Sequence, residues 1–244
     1  MNLFEDINNI FTKNKDKDFL ISDLTRKTLT YGDLYKNAMS FASYMQSVGL
    51  KKGDKVVVIM ENCDEVVQIY FSLFLYGSIL VPINPDLTND QIWHIINDSD
   101  CRKVICGELE FEKINKNSRE IKFIVLKDGL NTINKIEEPY IDFEQVISSN
   151  YDKNAKISFH GVDDNNDLIH IYTSGTTGEP KKVVHSYSNI LNNGFSFVNA
   201  TNLGSKNRFI NYLPVTYLGG YYNLLLIPLL CGGSVVITNH FNSK

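Results

Sequence analysis

Gly49-Leu50-Lys51-Lys52-Gly53-Asp54-Lys55-Val56-Val57-Val58-Ile59 is the stretch that decides the fold class. Gly49 reads as a helix stop, because glycine enters the left-handed conformation without a Cβ penalty. Lys51-Lys52-Gly53-Asp54 turns the chain. Residues 56–59 are then four β-branched residues in succession, with no polar alternation. A short unbroken run of that kind suits a strand buried on both faces, as parallel sheets read. Upstream, Thr30-Tyr31-Gly32-Asp33 has the form of a capping box with Asp in place of Glu or Gln. Behind it Leu34, Ala38, Phe41, Ala42 and Met45 recur at helical spacing, so a helix feeds the strand through Gly49.

The same rhythm continues outward. Asn62 or Asp64 can cap a helix reaching Tyr76, Gly77 ends it, and residues 79–81 form a strand broken at Pro82. Thr88-Asn89-Asp90-Gln91 is a second capping box, opening a helix toward Asp98. Strands are predicted at 104–105 and 121–126. Residues 127–166 are more polar and read as a connecting region with one short helix near 143–147. A second stretch starts at Asp167, with strands 168–173 and 182–185, a helix 188–198, a strand 208–213, a helix 221–230 and a strand 235–238. Alternation of this kind predicts an α/β fold of mostly parallel sheets with helices on both faces. The expected organisation is a first α/β unit with its connecting region over 1–166 and a second over 167–244. Residues 74–81 and 230–237 both run from an apolar helix through glycine and serine into a β-branched strand. Two related units would explain that, and so would the common use of glycine in such turns.

Composition narrows the function classes. With 43% apolar and 21% charged residues, the 244-residue chain is ordinary globular sequence with ample room for a core. A net charge of -4 offers no basic field to steer nucleic acid or an anionic membrane. Residues 66–83, the most apolar stretch, are interrupted by Gln68, Ser72, Gly77, Ser78 and Pro82, too often for a spanning helix of ~20 apolar residues. The N-terminus lacks a basic start and a continuous apolar run, so it is no signal peptide. Cys63, Cys101, Cys106 and Cys231 form no CxxC pair and are expected to be reduced structural thiols of a cytoplasmic protein.

The chemistry is concentrated in Tyr172-Thr173-Ser174-Gly175-Thr176-Thr177-Gly178-Glu179-Pro180-Lys181-Lys182. Gly175 and Gly178 let backbone N–H groups approach a ligand closely. Thr173, Ser174, Thr176 and Thr177 add hydroxyl donors, and Lys181 a positive charge beside the stiff Pro180. Converging donors with one lysine suit a polyphosphate. Proline at 180, where a Walker loop needs glycine, excludes that pattern. The β-branched run that follows predicts a loop between two strands, without a helix dipole. His170 and His185 fall in predicted strands and read as structural, and His94, His160 and His240 show no partner pattern.

Residues 174–181 resemble the signature of AMP-forming adenylate ligases, the superfamily of acyl-CoA synthetases, peptide-synthetase adenylation domains and beetle luciferases. Leu29-Thr30-Tyr31-Gly32-Asp33-Leu34, residues 49–56, residues 77–85, and Leu213-Pro214 followed by Gly219-Gly220 are similar to further family segments, in family order over nearly the whole chain. The resemblance implies ATP and Mg²⁺, a small carboxylate substrate, and coenzyme A or a carrier-protein phosphopantetheine as thiol acceptor. It implies that Thr173, Ser174, Gly175, Thr176, Thr177, Gly178 and Lys181 hold the β- and γ-phosphates, with Thr176 toward Mg²⁺ and Lys181 catalytic. Tyr217, Gly219 and Gly220 would line the acyl pocket.

Departures from the family pattern qualify this. Lys182 stands where glycine is common, and either adds charge near the phosphates or points to solvent, the latter being expected. Tyr217 stands where acyl-CoA synthetases often carry histidine. A core tyrosine near a helix start would explain it equally. Val215, Thr216 and Tyr217 offer no carboxylate for an amino group, which favours a plain organic acid over an amino acid. The later family elements, on adenine, ribose and the catalytic lysine of a C-terminal domain, have no counterpart before Lys244. The remainder of the ligase is therefore expected C-terminal to this chain, which would form a partial domain with an exposed seam and little complete turnover alone. The alternative is a non-catalytic nucleotide-binding or interaction module.

Overall fold

A computed structural model describes residues 3–114, 121–127, 139–149, 162–174 and 180–239. In chain order the elements are α1 (Leu3–Lys13), β1 (Asp18–Ser22), β2 (Thr28–Thr30), α2 (Tyr31–Ser47), β3 (Lys55–Ile59), α3 (Asp64–Tyr76), β4 (Ile79–Ile83), α4 (Asn89–Asp98), β5 (Lys103–Gly107), α5 (Glu108–Ile114), β6 (Lys122–Leu126), β7 (Tyr140–Ile141), α6 (Phe143–Ser149), β8 (Asp167–Ser174), β9 (Pro180–Ser186), α7 (Tyr187–Thr201) and β10 (Arg208–Asn211). A π-helix (Gly219–Leu226), α8 (Ile227–Leu230) and β11 (Ser234–Ile237) complete them.

The local signals act where the sequence puts them. Thr30 and Asp33 close one capping box at α2 and Thr88 and Gln91 another at α4, each satisfying orphan N–H groups reciprocally. Gly77 (φ 88°) and Gly232 (φ 73°) turn out of helices into parallel strands, which accounts for the likeness of residues 74–81 and 230–237 in local terms. Three details differ from the sequence reading. The cap of α3 is Cys63, whose sulfur accepts from the Val66 N–H at 3.3 Å. Asn62 and Asp64 are not available, because both side chains bond to distant segments. Strand β4 runs on through Pro82, opposite Val58 of β3. The missing N–H of Pro82 falls beyond the single β4–β8 pairing, Leu80↔Ile169, so little of that ladder is lost. Finally, the helix expected over 221–230 is π-wound up to Leu226. The Ile227 N–H donates to the Tyr222 carbonyl, five residues back. Pro228 cannot donate and would clash in a regular α-turn, and the wider turn accommodates it.

Two sheets result, with orders β10-β11-β1-β2 and β7-β6-β5-β3-β4-β8-β9. The first is parallel except for β1–β2, the second except for β8–β9. Each sheet draws strands from both sides of residue 166: β8 lies against β4, and β1 against β11. The stretches 1–166 and 167–244 are thus successive in sequence but interleaved in space.

Strand alternation sorts the core. Val56 and Val58 of β3 join a large cluster with α1, α2, α3 and α7, while Val57 and Ile59 join a second cluster with Ile92, Ile95 and Ile96 of α4. Residues 56–59 of β3 are all fully buried, at about 1.5–3 kcal/mol each of transfer free energy. This is why the β-branched run could be read as a strand covered on both faces. The outer face of the smaller sheet is different. Ile210, Val236 and Ile21 lie level across it, and Ile210 is 60% exposed. Among the described residues no helix is long and apolar enough to cross a membrane.

Candidate active site

From β4 the chain leads back across β3 to β5, whereas from neighbouring β8 it leads outward to β9, so the connections diverge between β4 and β8. In open α/β sheets, ligands bind outside the carboxyl ends of strands at such a point. Strands β3, β4 and β8 are parallel, so Asn62, Asn84 and Thr173 mark that edge. The segment 213–217, after β10 in the other sheet, closes on it. Asn62, which is buried, donates its amide to the Leu213 and Thr238 carbonyls (2.9 and 3.2 Å) and accepts from the Val215 N–H (2.9 Å). Asn84 donates to the Tyr217 hydroxyl at 2.8 Å. Two asparagines, each just past a buried strand, therefore tie the two sheets together at their carboxyl ends.

The hairpin β8–β9 is antiparallel with Thr173 opposite Lys181, as the strand–loop–strand expectation requires. Paired residues share a face of the ladder, so Thr173 and Lys181 project together, and both are exposed. The Thr173 hydroxyl also reaches the Lys181 carbonyl at 3.4 Å. Strands β4 and β8 run parallel from the Leu80↔Ile169 pair, and Asn84 and Thr173 both lie beyond that pair toward the carboxyl ends. The base of the hairpin loop and the Asn84–Tyr217 pair thus occupy one edge. Gly175, Thr176, Thr177, Gly178 and the Ser174 side chain lie outside the described residues. An exposed ammonium beside a hydroxyl, at the mouth of a Gly/Thr loop, is a donor set that fits a phosphate anion.

Tyr217 is 48% exposed and no core tyrosine. Val215 and Thr216 are buried. Gly220 is held for a backbone reason. A Cβ there would fall inside contact distance of the Pro214 carbonyl oxygen and lie 2.7 Å from its carbon. The Gly220 carbonyl accepts from the Asn211 amide. Gly219 has only the Leu213 side chain within reach of a Cβ, at 3.2 Å.

Lys182 is exposed, and its side chain ends on Asp98. Its ammonium meets the Asp98 carboxylate at 3.0 Å and the Asp98 carbonyl at 3.3 Å, on the face opposite Lys181. His170 is buried against the Asp167 carboxylate at 2.8 Å, a structural role. Burial, the largest influence on each, raises the pKa of all four cysteine thiols, so none is set up as a nucleophile. Among the described residues there is no group of three or more His, Cys, Asp or Glu that could hold a metal.

A sequence model described as AMP-binding enzyme matches residues 8–244. The chain belongs to that family. Among relatives of this AMP-binding enzyme, a long-chain-fatty-acid–CoA ligase of Bacillus subtilis is 29% identical over 187 residues, 68% of this chain and 33% of its own length. A sulfoacetate–CoA ligase of Cupriavidus necator is 26% identical over 94% of this chain and 43% of its own. The chain thus spans less than half the length of these two relatives. The ATP-bound structure of MatB from Rhodopseudomonas palustris superposes with a TM-score of 0.84 over 99% of this chain and 46% of its own, at 20% identity, a likeness of fold. The fold is that of the N-terminal domains of adenylate-forming ligases.

Asn62, Asn84, Asp98 and Tyr172 have tertiary partners that the motif reading does not assign, although Tyr172 and Asn84 fall within the stretches it singles out. Their only local signal is position: each asparagine just follows a buried strand, and Asp98 ends a helix.

Proposed function

We propose that this chain supplies the phosphate-holding part of an ATP-dependent, AMP-forming ligase. The enzyme activates a carboxylic acid as its acyl-adenylate and passes the acyl group to a thiol, coenzyme A or a carrier-protein phosphopantetheine. The observation that carries this reading is the Thr173–Lys181 rung, two exposed donors on one face, at the same carboxyl-end edge as the Asn84–Tyr217 pair. Both relatives described above are named as CoA ligases, which supports coenzyme A as acceptor.

Bound MgATP supplies an electrophilic α-phosphorus and pyrophosphate as leaving group. Lys181 would then offset the negative charge growing on the departing phosphates, the Thr173 hydroxyl and the loop donors Ser174, Gly175, Thr176, Thr177 and Gly178 would orient them, and Thr176 would help to hold Mg²⁺. Prearranged donors of this kind act mainly in the transition state. Tyr217, Gly219 and Gly220 border the acyl end of the site. Neither Val215 nor Thr216 can present a carboxylate there, which supports a plain organic acid as substrate.

The test is ATP–pyrophosphate exchange by the intact gene product over a panel of organic and amino acids. Lys181→Ala is expected to slow acid-dependent exchange on the order of 10²-fold and to leave thioester formation from preformed adenylate nearly unchanged. Unaltered exchange in the variant would discard the assignment of Lys181. Exchange with amino acids alone would replace the organic-acid reading.

A further inference from the structure

We infer that Asp98 is a positioning residue for the Thr173–Lys181 rung, clamping the rung next to it in the β8–β9 hairpin. Asp98 ends α4, an element outside every motif of the site. Its carboxylate accepts from the Tyr172 hydroxyl at 2.6 Å and pairs with the Lys182 ammonium at 3.0 Å. Tyr172 and Lys182 are register partners across β8 and β9. The next rung is Thr173↔Lys181, facing the other way. One carboxylate thus grips both strands of the hairpin, one residue short of the rung that bears the phosphate donors.

Two further observations indicate that the grip serves the hairpin. Strand β9 is the edge of its sheet, and residues 181–184 are exposed, so β9 has little packing of its own to hold it. In addition, a carboxylate at a helix C-terminus stands on the unfavourable side of the macrodipole. The last turn of α4 has no basic residue. Lys182 supplies that charge from another element and reaches the Asp98 carbonyl as well as the carboxylate. Lys182 is also the position that departs from the glycine of the resembled signature.

The groups facing Asp98 are Tyr172, Lys182 and, along its own helix, His94. The hydrogen bonds from Tyr172 and then Lys182 hold its carboxyl below the ordinary range. For a lowered pKa the contribution is complete above pH about 4 and is lost as pH falls through the lowered value.

The inference rests on the phosphate-loop reading, and the experiment separates the two. Binding of MgATP and of magnesium pyrophosphate to the intact gene product is measured by calorimetry, alongside amide exchange at residues 171–173 and 181–183. The expected result is that Lys181→Ala weakens binding of magnesium pyrophosphate, whose phosphate charge is fully developed, more than binding of MgATP. Asp98→Ala and Lys182→Ala should each weaken binding roughly 5- to 50-fold, the scale of lost preorganisation with contacts retained. The double variant should be no worse than either single one. Exchange in both strands accelerates in Asp98→Ala, while the thermal midpoint moves little, since an exposed pair adds little to global stability. Asp98→Glu restores part of the binding. If the intact gene product binds and Asp98→Ala binds equally well, or the two single effects add, the clamp is overturned and the loop reading stands. If the intact gene product binds neither probe, the loop reading falls and takes the clamp with it.

Discussion

Gly220→Ala is expected to destabilise the protein by about 3 kcal/mol or more, toward the upper end of overpacking effects. The new methyl group would enter the Pro214 carbonyl oxygen, with the Pro214 carbon at 2.7 Å and the Val215 Cα at 3.0 Å. Those neighbours are backbone, so no side-chain rotation relieves the contact. Either the turn at 214–217 or the first turn of the π-helix must move. The turn is itself pinned by Asn62, and the Gly220 carbonyl by Asn211. Gly204→Ala is the matched control, with nothing within 4 Å of its Cβ. It should stay within about 0.5 kcal/mol of wild type. Urea midpoints compare the three proteins, and equal midpoints for the two variants would refute the steric account. The displacement also moves Tyr217, so a folded Gly220→Ala protein should show altered acid selectivity.

Asn62→Ala should cost a comparable amount, about 3 kcal/mol, by a different route. Its side chain satisfies three backbone groups of 213–215 and 238. Truncation leaves the Val215 N–H without its acceptor in a place where Val215 is fully buried. A buried donor left unmade costs about 1–3 kcal/mol by itself, and the two carbonyls lose their donor as well. Asn62→Asp separates the parts: it keeps an acceptor for Val215 but sets a carboxylate against two carbonyls, so it should be at least as destabilising. Amide exchange at Val215 gives the local readout. A protected Val215 amide in Asn62→Ala, with an unchanged urea midpoint, would remove Asn62 from this role.

These two residues also mark where sequence reading stops. Asn62 is recognisable as a residue after a strand and as a possible cap. Its partners lie more than 150 residues away, so no local pattern distinguishes a cap from a clip between sheets. The cap fell to Cys63, a weak acceptor that spacing gives no reason to choose. Lys182 is similar. As a departure from a familiar motif it could be noticed, but its partner Asp98 comes from a helix 84 residues earlier. By contrast, the stripe Leu3, Ile7 and Phe11 that α1 buries has plain helical spacing and was available to periodicity.

Sequence alone determined the features whose causes are local. Those are the capping boxes at Thr30 and Thr88, the glycine turns, the buried strand at 56–59, and the strand–loop–strand frame of the Thr173–Lys181 rung. Each rests on backbone stereochemistry or on hydrogen bonds within a few residues. Tertiary structure alone decided that stretches 1–166 and 167–244 share both sheets. It also decided that the helix before Pro228 widens into a π-turn, and that the exposed Lys182 pairs with Asp98. Above all it brought Asn62, Asn84, Tyr217 and the phosphate-loop rung to one edge. That convergence depends on which strands lie side by side, and strand neighbours are selected by the burial of whole faces, a property no single segment carries.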